Sequence, residues 1–388
     1  MRTTTLGEIA EWGSGGTPKR AVAEYFGKGT PWLSIADLND GLVTSAKESL
    51  TPAGIANSSA KIVPEGTIFV AMYGSIGKLG IAGAEMATSQ AIAFAKPEEK
   101  LVDTRFLFQY LLAQRPKLQN LGRGGTQMNI GQGDLKAWPI PLPQLPEQRR
   151  IASILDQADA IRTKRRQVLA HLDSLAQAIF RDMFGDLSDT QPLSELVTEF
   201  RYGTSSRSGP TGNPTLRIPN IVSGGINHAE IKTVSVRDSE LSRLVLRDND
   251  LLFVRTNGNP DNVGRCAVFT QSAVADAGYG ESPWIFASYL IRARLRDGAA
   301  AAFVATFLTT PAGRKHLRDR SKTSAGQYNI NIDGIGSVPV PVSDRARQVE
   351  FSARIEQLDS RRARLRAALA ADNELFASLQ SRAFRGEL

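Results

Sequence analysis

A long-period repeat constrains this chain more than any other feature of its sequence. Gln127-Met128-Asn129-Ile130 returns as Gln327-Tyr328-Asn329-Ile330, and Pro139-Ile140-Pro141 returns as Pro339-Val340-Pro341, each after 200 residues. Gln157 and Asp159 return as Gln357 and Asp359, and Leu175 and Phe184 as Leu375 and Phe384, at the same offset with no gap. One offset held over so long a stretch marks duplication of a whole unit. Earlier segments match more loosely: Leu6-Gly7-Glu8-Ile9 with Leu193-Ser194-Glu195-Leu196, Pro31 to Ile35 with Pro214 to Ile218, and Val63 to Val70 with Leu246 to Phe253. The offset drifts there, as accumulated insertions would make it. The order expected is variable globular unit, helix, variable globular unit, helix.

The helices are read from apolar periodicity. Pro146-Glu147-Gln148 opens the first, with proline at the start and an acid in the first turn. Ile151, Leu155, Ala158, Arg162, Arg165, Leu169, Leu172, Ala176, Ile179 and Met183 then alternate spacings of four and three, and Gly185 stops the run. Phe351, Ile355, Leu358, Arg362, Leu365, Leu369, Asp372, Phe376, Leu379 and Ala383 repeat the pattern. Each helix is expected to be roughly 50–60 Å long at 1.5 Å per residue. Helices of this length need a partner to cover the seam. Either each packs on its own globular unit, or the two pack antiparallel on each other, with Arg162 opposite Asp372 or Arg362 opposite Asp173 setting the register. In the second case one globular unit sits at each end.

Ahead of each helix lie short β-rich runs, Thr67 to Val70, Leu251 to Val254 and Ile285 to Ile291, separated by turns rich in Gly, Asn and Pro. Helical patches stand at Thr104 to Gln114 and Ala300 to Leu308. The fold class expected is α+β. Boundaries follow at 1–145 for the first globular domain, 146–187 for the first helix, 188–343 for the second domain and 344–388 for the second helix. The opening Met1 to Trp12 has no apolar core of a secretion signal, and no apolar run reaches the about 18 residues of a membrane helix. A cytoplasmic location is therefore expected.

Several chemistries lack their residues. One cysteine, Cys266, excludes an internal disulfide framework and any multi-cysteine zinc site, and the chain's 3 histidines give little for metal binding. No metal and no cofactor is expected. Asn213-Pro214-Thr215 and Asn259-Pro260-Asp261 lack the second proline and the aromatic of an amino-methyltransferase motif. Gly74-Ser75-Ile76-Gly77-Lys78-Leu79 approaches a phosphate-binding loop, but Met72 stands where the first glycine belongs and Leu79 where Ser or Thr would hold magnesium. Pro260-Asp261 is not followed by the acid-x-Lys of a nuclease. His171, His228 and His316 have no evident nucleophile or metal partner, and no catalytic constellation is left.

Lys and Arg number 47 against 39 Asp and Glu, a net charge of +8, which favours a polyanionic partner. Lys19, Arg20, Lys78 and Arg123 supply positive charge in the first unit. Arg201, Arg207, Arg255, Arg265, Lys315, Arg318 and Lys322 do so in the second. Arginine and lysine suit phosphates and guanine, and Asn and Gln can read adenine edges. Gln127, Gln327, Asn257 and Asn259 are therefore candidate DNA contacts beside the basic residues. For each, a plain loop or turn role is the alternative. Recurrence of Gln127/Asn129 as Gln327/Asn329 favours a structural role for that pair, because base readers should differ between halves.

Taken together, the Leu6-Gly-Glu-Ile start, Pro31-Trp-Leu-Ser-Ile, Val63 to Val70, Gly124 to Ile130, Pro139-Ile-Pro-Leu-Pro, Glu147 to Ala152 and their second copies resemble the specificity (S) subunit of type I restriction–modification systems. The resemblance covers nearly the whole chain, and it lies in the order and duplication of these segments. It implies two target recognition domains related by the repeat, each reading half of a split DNA site. It also implies two long antiparallel coiled-coil helices that set the spacer. The subunit would not be catalytic. Its partners would be double-stranded DNA, two methyltransferase (M) subunits and restriction (R) subunits, with no membrane. Recognition of a flipped base by the partner would require bent or opened DNA. Where the first copy has Pro146 to Arg150, the second has Asp344-Arg345-Ala346-Arg347-Gln348. That departure implies weaker docking of a partner there, or a related, type II-like branch. A coiled-coil adaptor that binds only proteins is the rival reading. Half-sites on one face of B-DNA lie about 34–36 Å apart per turn, within reach of a rod of the expected length.

Overall fold

The structure, a computed structural model, describes residues 2–122, 128–222, 225–228, 230–296, 301–324 and 326–388. It is mixed α/β. The first long helix runs Leu145–Phe184 and the second Arg345–Arg385. Each begins and ends where the local chemistry dictates. Glu147 lies in the first turn of the first helix, favourable to its dipole. That helix closes with the Gly185 N–H on the Arg181 carbonyl at 2.8 Å. The Asp344 carboxylate accepts from the Arg347 N–H at 2.9 Å and caps the second helix. Gly386, at φ +80°, follows its last turn.

The chain divides into two units. The first comprises Met1–Lys164 with Leu369–Leu388, and the second Arg165–Ala368. Each unit thus holds part of both long helices.

In the first unit a five-stranded sheet runs in the order Ala10–Ser14, Ile92–Pro97, Ile68–Ala71, Leu79–Ala82, Leu42–Val43. A four-stranded sheet built on Phe26–Leu33 accompanies it. All four residues of Ile68–Ala71 are buried, as a central strand covered on both faces requires. The helix Thr104–Asn120 packs Phe106, Leu107 and Leu111 into the main core. It runs on through Pro116, past the stop expected from sequence, because Leu118 beyond the proline is fully buried in that core. Thr3–Thr5 pairs antiparallel with Pro139–Pro141 and ties the start of the unit to the entry of the first long helix. From the second long helix, Phe376 and Ala383 join the core, and the Phe384 ring meets Tyr110 edge-on at 5.1 Å. The two helices run antiparallel here: Arg150 donates to the Leu388 carbonyl at 2.6 Å, and Arg162 to the Asn373 side chain at 2.9 Å. Arg162 also lies 4.0 Å over the ring of Phe376, three residues after Asn373.

The second unit has a four-stranded sheet in the order Val197–Tyr202, Leu290–Leu295, Leu251–Val254, Cys266–Val268. Thr190–Pro192 pairs with Pro339–Pro341, as Thr3–Thr5 pairs with Pro139–Pro141 in the first unit. The run Ile285 to Ile291, expected as one strand, is two. Ile285–Phe286 pairs parallel with Asn213–Leu216, and the chain then crosses through Ala287 to Tyr289 so that Leu290–Leu295 joins the other sheet. Its apolar residues serve two cores in turn. Phe180 and Phe184, outside the sequence-read seam, insert into a cluster with Phe303, Phe307 and Phe351. The helices are antiparallel here too. Arg362, 4% exposed, pairs with Asp173 at 3.1 Å and donates to the Leu172 carbonyl, while Arg347 pairs with Asp186 at 3.0 Å. Arg362 and Asp173 are one of the two pairs expected to fix the register.

Among the described residues no helix is long and apolar enough to cross a membrane.

Candidate nucleic-acid interface

Four of the sequence candidates meet at one end of the second unit. Strand Leu251–Val254 leads into Arg255, and Thr256–Asn257 then pairs antiparallel with Gln327–Asn329, which in turn pairs with Lys322–Ser324. This small sheet brings Arg255, Asn257, Lys322 and Gln327 together. Arg255 is held by its backbone, its N–H donating to the Tyr289 carbonyl and its carbonyl accepting from the Ile330 N–H, both at 2.9 Å. Its guanidinium lies 4.8 Å over the Tyr202 ring. Lys322 and Gln327 are exposed, and the Gln327 side chain accepts from the Thr256 hydroxyl at 3.0 Å.

The asparagines of the following loop are engaged locally. Asn257 Oδ1 accepts from the Asn259 N–H at 2.9 Å and from Asn262 Nδ2 at 3.3 Å, and Asn259 Oδ1 accepts from the Asp261 N–H at 2.9 Å. These are Asx turns, the bland alternative for such residues. Arg265 donates to Asn262 Oδ1 at 3.1 Å, and burial pushes its pKa down. Arg207 is exposed between strands Val197–Tyr202 and Asn213–Leu216. Arg318 pairs with Asp261 at 3.4 Å and Lys315 with Asp319 at 2.7 Å.

In the first unit the same backbone frame carries other side chains. The Met72 N–H donates to the Ala91 carbonyl and its carbonyl accepts from the Ile130 N–H, both at 2.9 Å, while Tyr73 bridges to Asn129. Met72 is buried, and Tyr73 and Met128 are exposed. Gly74 to Lys78 is the hairpin between two strands, with the Gly77 N–H on the Ala71 carbonyl, and not a phosphate loop opening a helix. Lys78 donates to the Ile35 carbonyl at 3.2 Å. Arg20 forms a two-pronged pair with Glu48 at 2.6 and 2.8 Å and lies over Phe26 and Trp32, and Lys19 beside it is exposed. Arg123 and Gln127 lie outside the described residues.

Sequence reasoning missed Tyr202 and Tyr289, which are 39% and 58% exposed beside Arg255. It also missed Arg237 and Arg243, which with Arg201, Tyr202 and Gly203 line a cavity of about 280 Å³. The adjacency of Arg201 and Tyr202 was the one available signal, a basic residue interleaved with an aromatic. Among the described residues no group of His, Cys, Asp and Glu could hold a metal ion. Cys266 is buried, and burial pushes its thiol pKa up.

Comparison with known proteins adds an independent line. A family model described as the type I restriction modification DNA specificity domain matches residues 1–171. The chain is 28% identical to the type I restriction enzyme EcoKI specificity subunit of Escherichia coli (strain K12), over 92% of this chain and 82% of that protein. It is 24% identical to the StySPI specificity subunit of Salmonella potsdam, over the same 92% and 82%. Among solved structures, the S subunit of a type I restriction–modification system from M. genitalium superposes with a TM-score of 0.57 at 16% identity, covering 99% of this chain and 96% of that one.

Proposed function

We propose, from the premise that this chain belongs to the type I restriction–modification specificity subunits, that it is the DNA-recognition subunit of such a complex. Residues 1–145 and 188–343 are its two target recognition domains, and 146–187 and 344–388 are the antiparallel coiled-coil spacer. The observation that carries this reading is one backbone frame bearing two sets of side chains. Arg255 and Met72 occupy the same place in the ladder, each with its N–H and carbonyl paired at 2.9 Å, yet one is a cation and the other a buried thioether. A scaffold that holds its backbone and varies its side chains is suited to reading two different half-sites.

The DNA-facing groups proposed are Lys19, Arg20, Lys78, Arg123 and Gln127 in the first domain, and Arg207, Arg255, Asn257, Asn259, Arg265, Lys322 and Gln327 in the second. The exposed lysines and Arg207 suit phosphates, which fix register without carrying sequence information. The chain itself performs no chemistry. Two methyltransferase subunits dock on it, and restriction subunits join through them, in the cytoplasm. Ala346-Arg347 where the first copy has Pro146-Glu147 makes the second docking surface differ from the first.

Co-expression of the chain with its methyltransferase subunits in a host lacking adenine methylation, followed by mapping of N6-methyladenine, tests this. The expected result is a motif of two short blocks split by a fixed gap. Methylation without a bipartite motif, or methyl transfer to DNA by the purified chain alone with S-adenosylmethionine, would overturn it.

A further inference from the structure

We propose that Arg255 reads a guanine in the half-site of the second unit, and that Tyr202 is the positioning residue that aims it. This rests on the DNA-recognition reading above and adds the identity of one base.

The arginines around it are already paired. Arg201 and Arg292 both bond Glu199, and Arg294 bonds Asp250 at 2.7 Å. Arg255 differs: among the described residues no carboxylate lies within ion-pair range of it, and its one side-chain partner is the Tyr202 ring at 4.8 Å. That distance is inside the about 6 Å over which a ring face attracts a cation. That contact restricts the guanidinium, and among the described residues none of its N–H donors has a hydrogen-bond acceptor. The backbone is pinned on both sides, so the fork projects from a fixed point.

A planar fork of unpaired donors matches two acceptors side by side. Guanine O6 and N7 present that pair in the major groove. A phosphate would also accept from arginine, but a lysine ammonium serves it as well. Cations better placed for it stand nearby, in exposed Lys322 and in Arg237 and Arg243 of the cavity that Tyr202 also lines. Asn257 and Asn259 spend their side-chain oxygens in their own turns, which leaves Arg255 as the best-placed reader of this corner. In the first unit the equivalent residue is Met72, buried and without donors. The guanine therefore belongs to one half-site only.

The test uses the full chain assembled with its methyltransferase subunits, as wild type and as Arg255→Ala, Arg255→Lys, Tyr202→Ala and Tyr202→Phe. Methylation motifs are mapped, and binding is measured on duplexes in which each guanine of the second block is replaced in turn by 7-deazaguanine, which lacks the N7 acceptor. One replacement should weaken wild-type binding about tenfold, toward the low end of the range for a bidentate base contact because O6 remains. The same replacement should leave Arg255→Ala unaffected. Arg255→Ala and Arg255→Lys should relax the motif at that base and keep the first block intact, which also shows that the variants fold. Tyr202→Ala should relax the same base, and Tyr202→Phe should restore it. A uniform loss of affinity on all sequences, with the salt slope lower by about 1 and the motif unchanged, would make Arg255 a phosphate contact and overturn the proposal. So would a second block without guanine. Failure of the underlying reading looks different: wild type itself would then yield no bipartite motif.

Discussion

The two units solve one folding problem with different interiors. In the first, Phe94 stands opposite Gly13 and Phe69 in the sheet, and it is fully enclosed in an apolar core. A Cβ at Gly13 would meet that ring at 2.2 Å, so the glycine is what lets the phenyl lie against the neighbouring strand. In the second unit the corresponding strand position is Arg292, opposite Arg201 and Leu252. Its side chain is 1% exposed, pairs with Glu199 and donates to the Arg243 and Val245 carbonyls at 3.1 Å each. The ion pair next to it changes in kind as well: Lys96 meets a 70% exposed Glu11 of the edge strand at 3.2 Å, where Arg294 meets Asp250, beside an inner strand, with that carboxylate 1% exposed. One sheet frame therefore tolerates either a greasy or an ionic middle. What the ionic version requires is that every charge keep its partner.

The largest effect expected from this difference is on Glu199. Glu199→Ala leaves the Arg292 guanidinium buried without its counter-ion, and breaking such a pair costs about 3–5 kcal/mol. Glu11→Ala removes only a surface partner, worth about 0–1 kcal/mol. Hydrogen exchange on the full chain, read separately over strands Val197–Tyr202 and Ala10–Ser14, distinguishes the two. Equal loss of protection would mean that Arg292 is stabilised by its carbonyl partners alone. The pair also predicts a pH dependence. Burial works against the charged form of Glu199, but Arg201, Arg292 and Arg294 outweigh it and hold its pKa below the ordinary carboxylate value. A lowered folded pKa contributes stability that is fully present above the unfolded value and is lost as pH falls through the folded one. The second unit should accordingly lose protection in acid, and Glu199→Gln should remove that part of the profile.

A smaller contrast lies in the hairpins that close each central strand pair. Gly77 and Gly264 take the same left-handed conformation, at φ +75° and +71°. Alanine at either position pays roughly 1–2 kcal/mol for that backbone. The neighbours differ: an added Cβ meets the Cγ of the partly exposed Arg115 at 3.1 Å in the first unit, and the fully buried Leu317 Cδ2 at 2.9 Å in the second. Gly264→Ala should therefore be the more costly of the two, by about 1 kcal/mol or more of overpacking. Denaturant midpoints of the two variants measure it, and equal midpoints would show that Leu317 can move aside.

How much of this was legible beforehand divides along the same line. The long helices were, because an apolar repeat of four and three over ten positions is a strong signal. All ten seam residues of the second helix are buried or half-buried. Phe180 and Phe184 were not, because they leave the seam for a globular core that no local period reveals. The ionic interior was illegible too. Arg292 sits in Leu290–Leu295, a strand that alternates only weakly, and nothing in Leu-Ile-Arg-Ala-Arg-Leu tells an inward arginine from an outward one without Glu199, some ninety positions away. At the candidate interface, residue type pointed to Arg255, Asn257 and Asn259 alike. Only the fold separates the arginine, lying over a tyrosine ring and unpaired by carboxylate, from two asparagines whose side-chain oxygens are engaged in turns.

The smallest effects should be the ones the two units share. Lys19 and Lys322 are both exposed, one in each unit, and as phosphate contacts neither would discriminate between bases. Replacing either with alanine in the assembled complex should weaken DNA binding to a similar degree on every sequence. Each should lower the slope of log affinity against log salt by about 1, without altering either block of the methylation motif. The double variant should lower it by about 2, since separate phosphate contacts release their counterions independently. A motif change in one block only would turn that lysine into a reader. A slope change for Lys322 alone would mean that the first unit holds the DNA backbone through other cations, and the likeness of the two frames would then stop short of how they grip DNA.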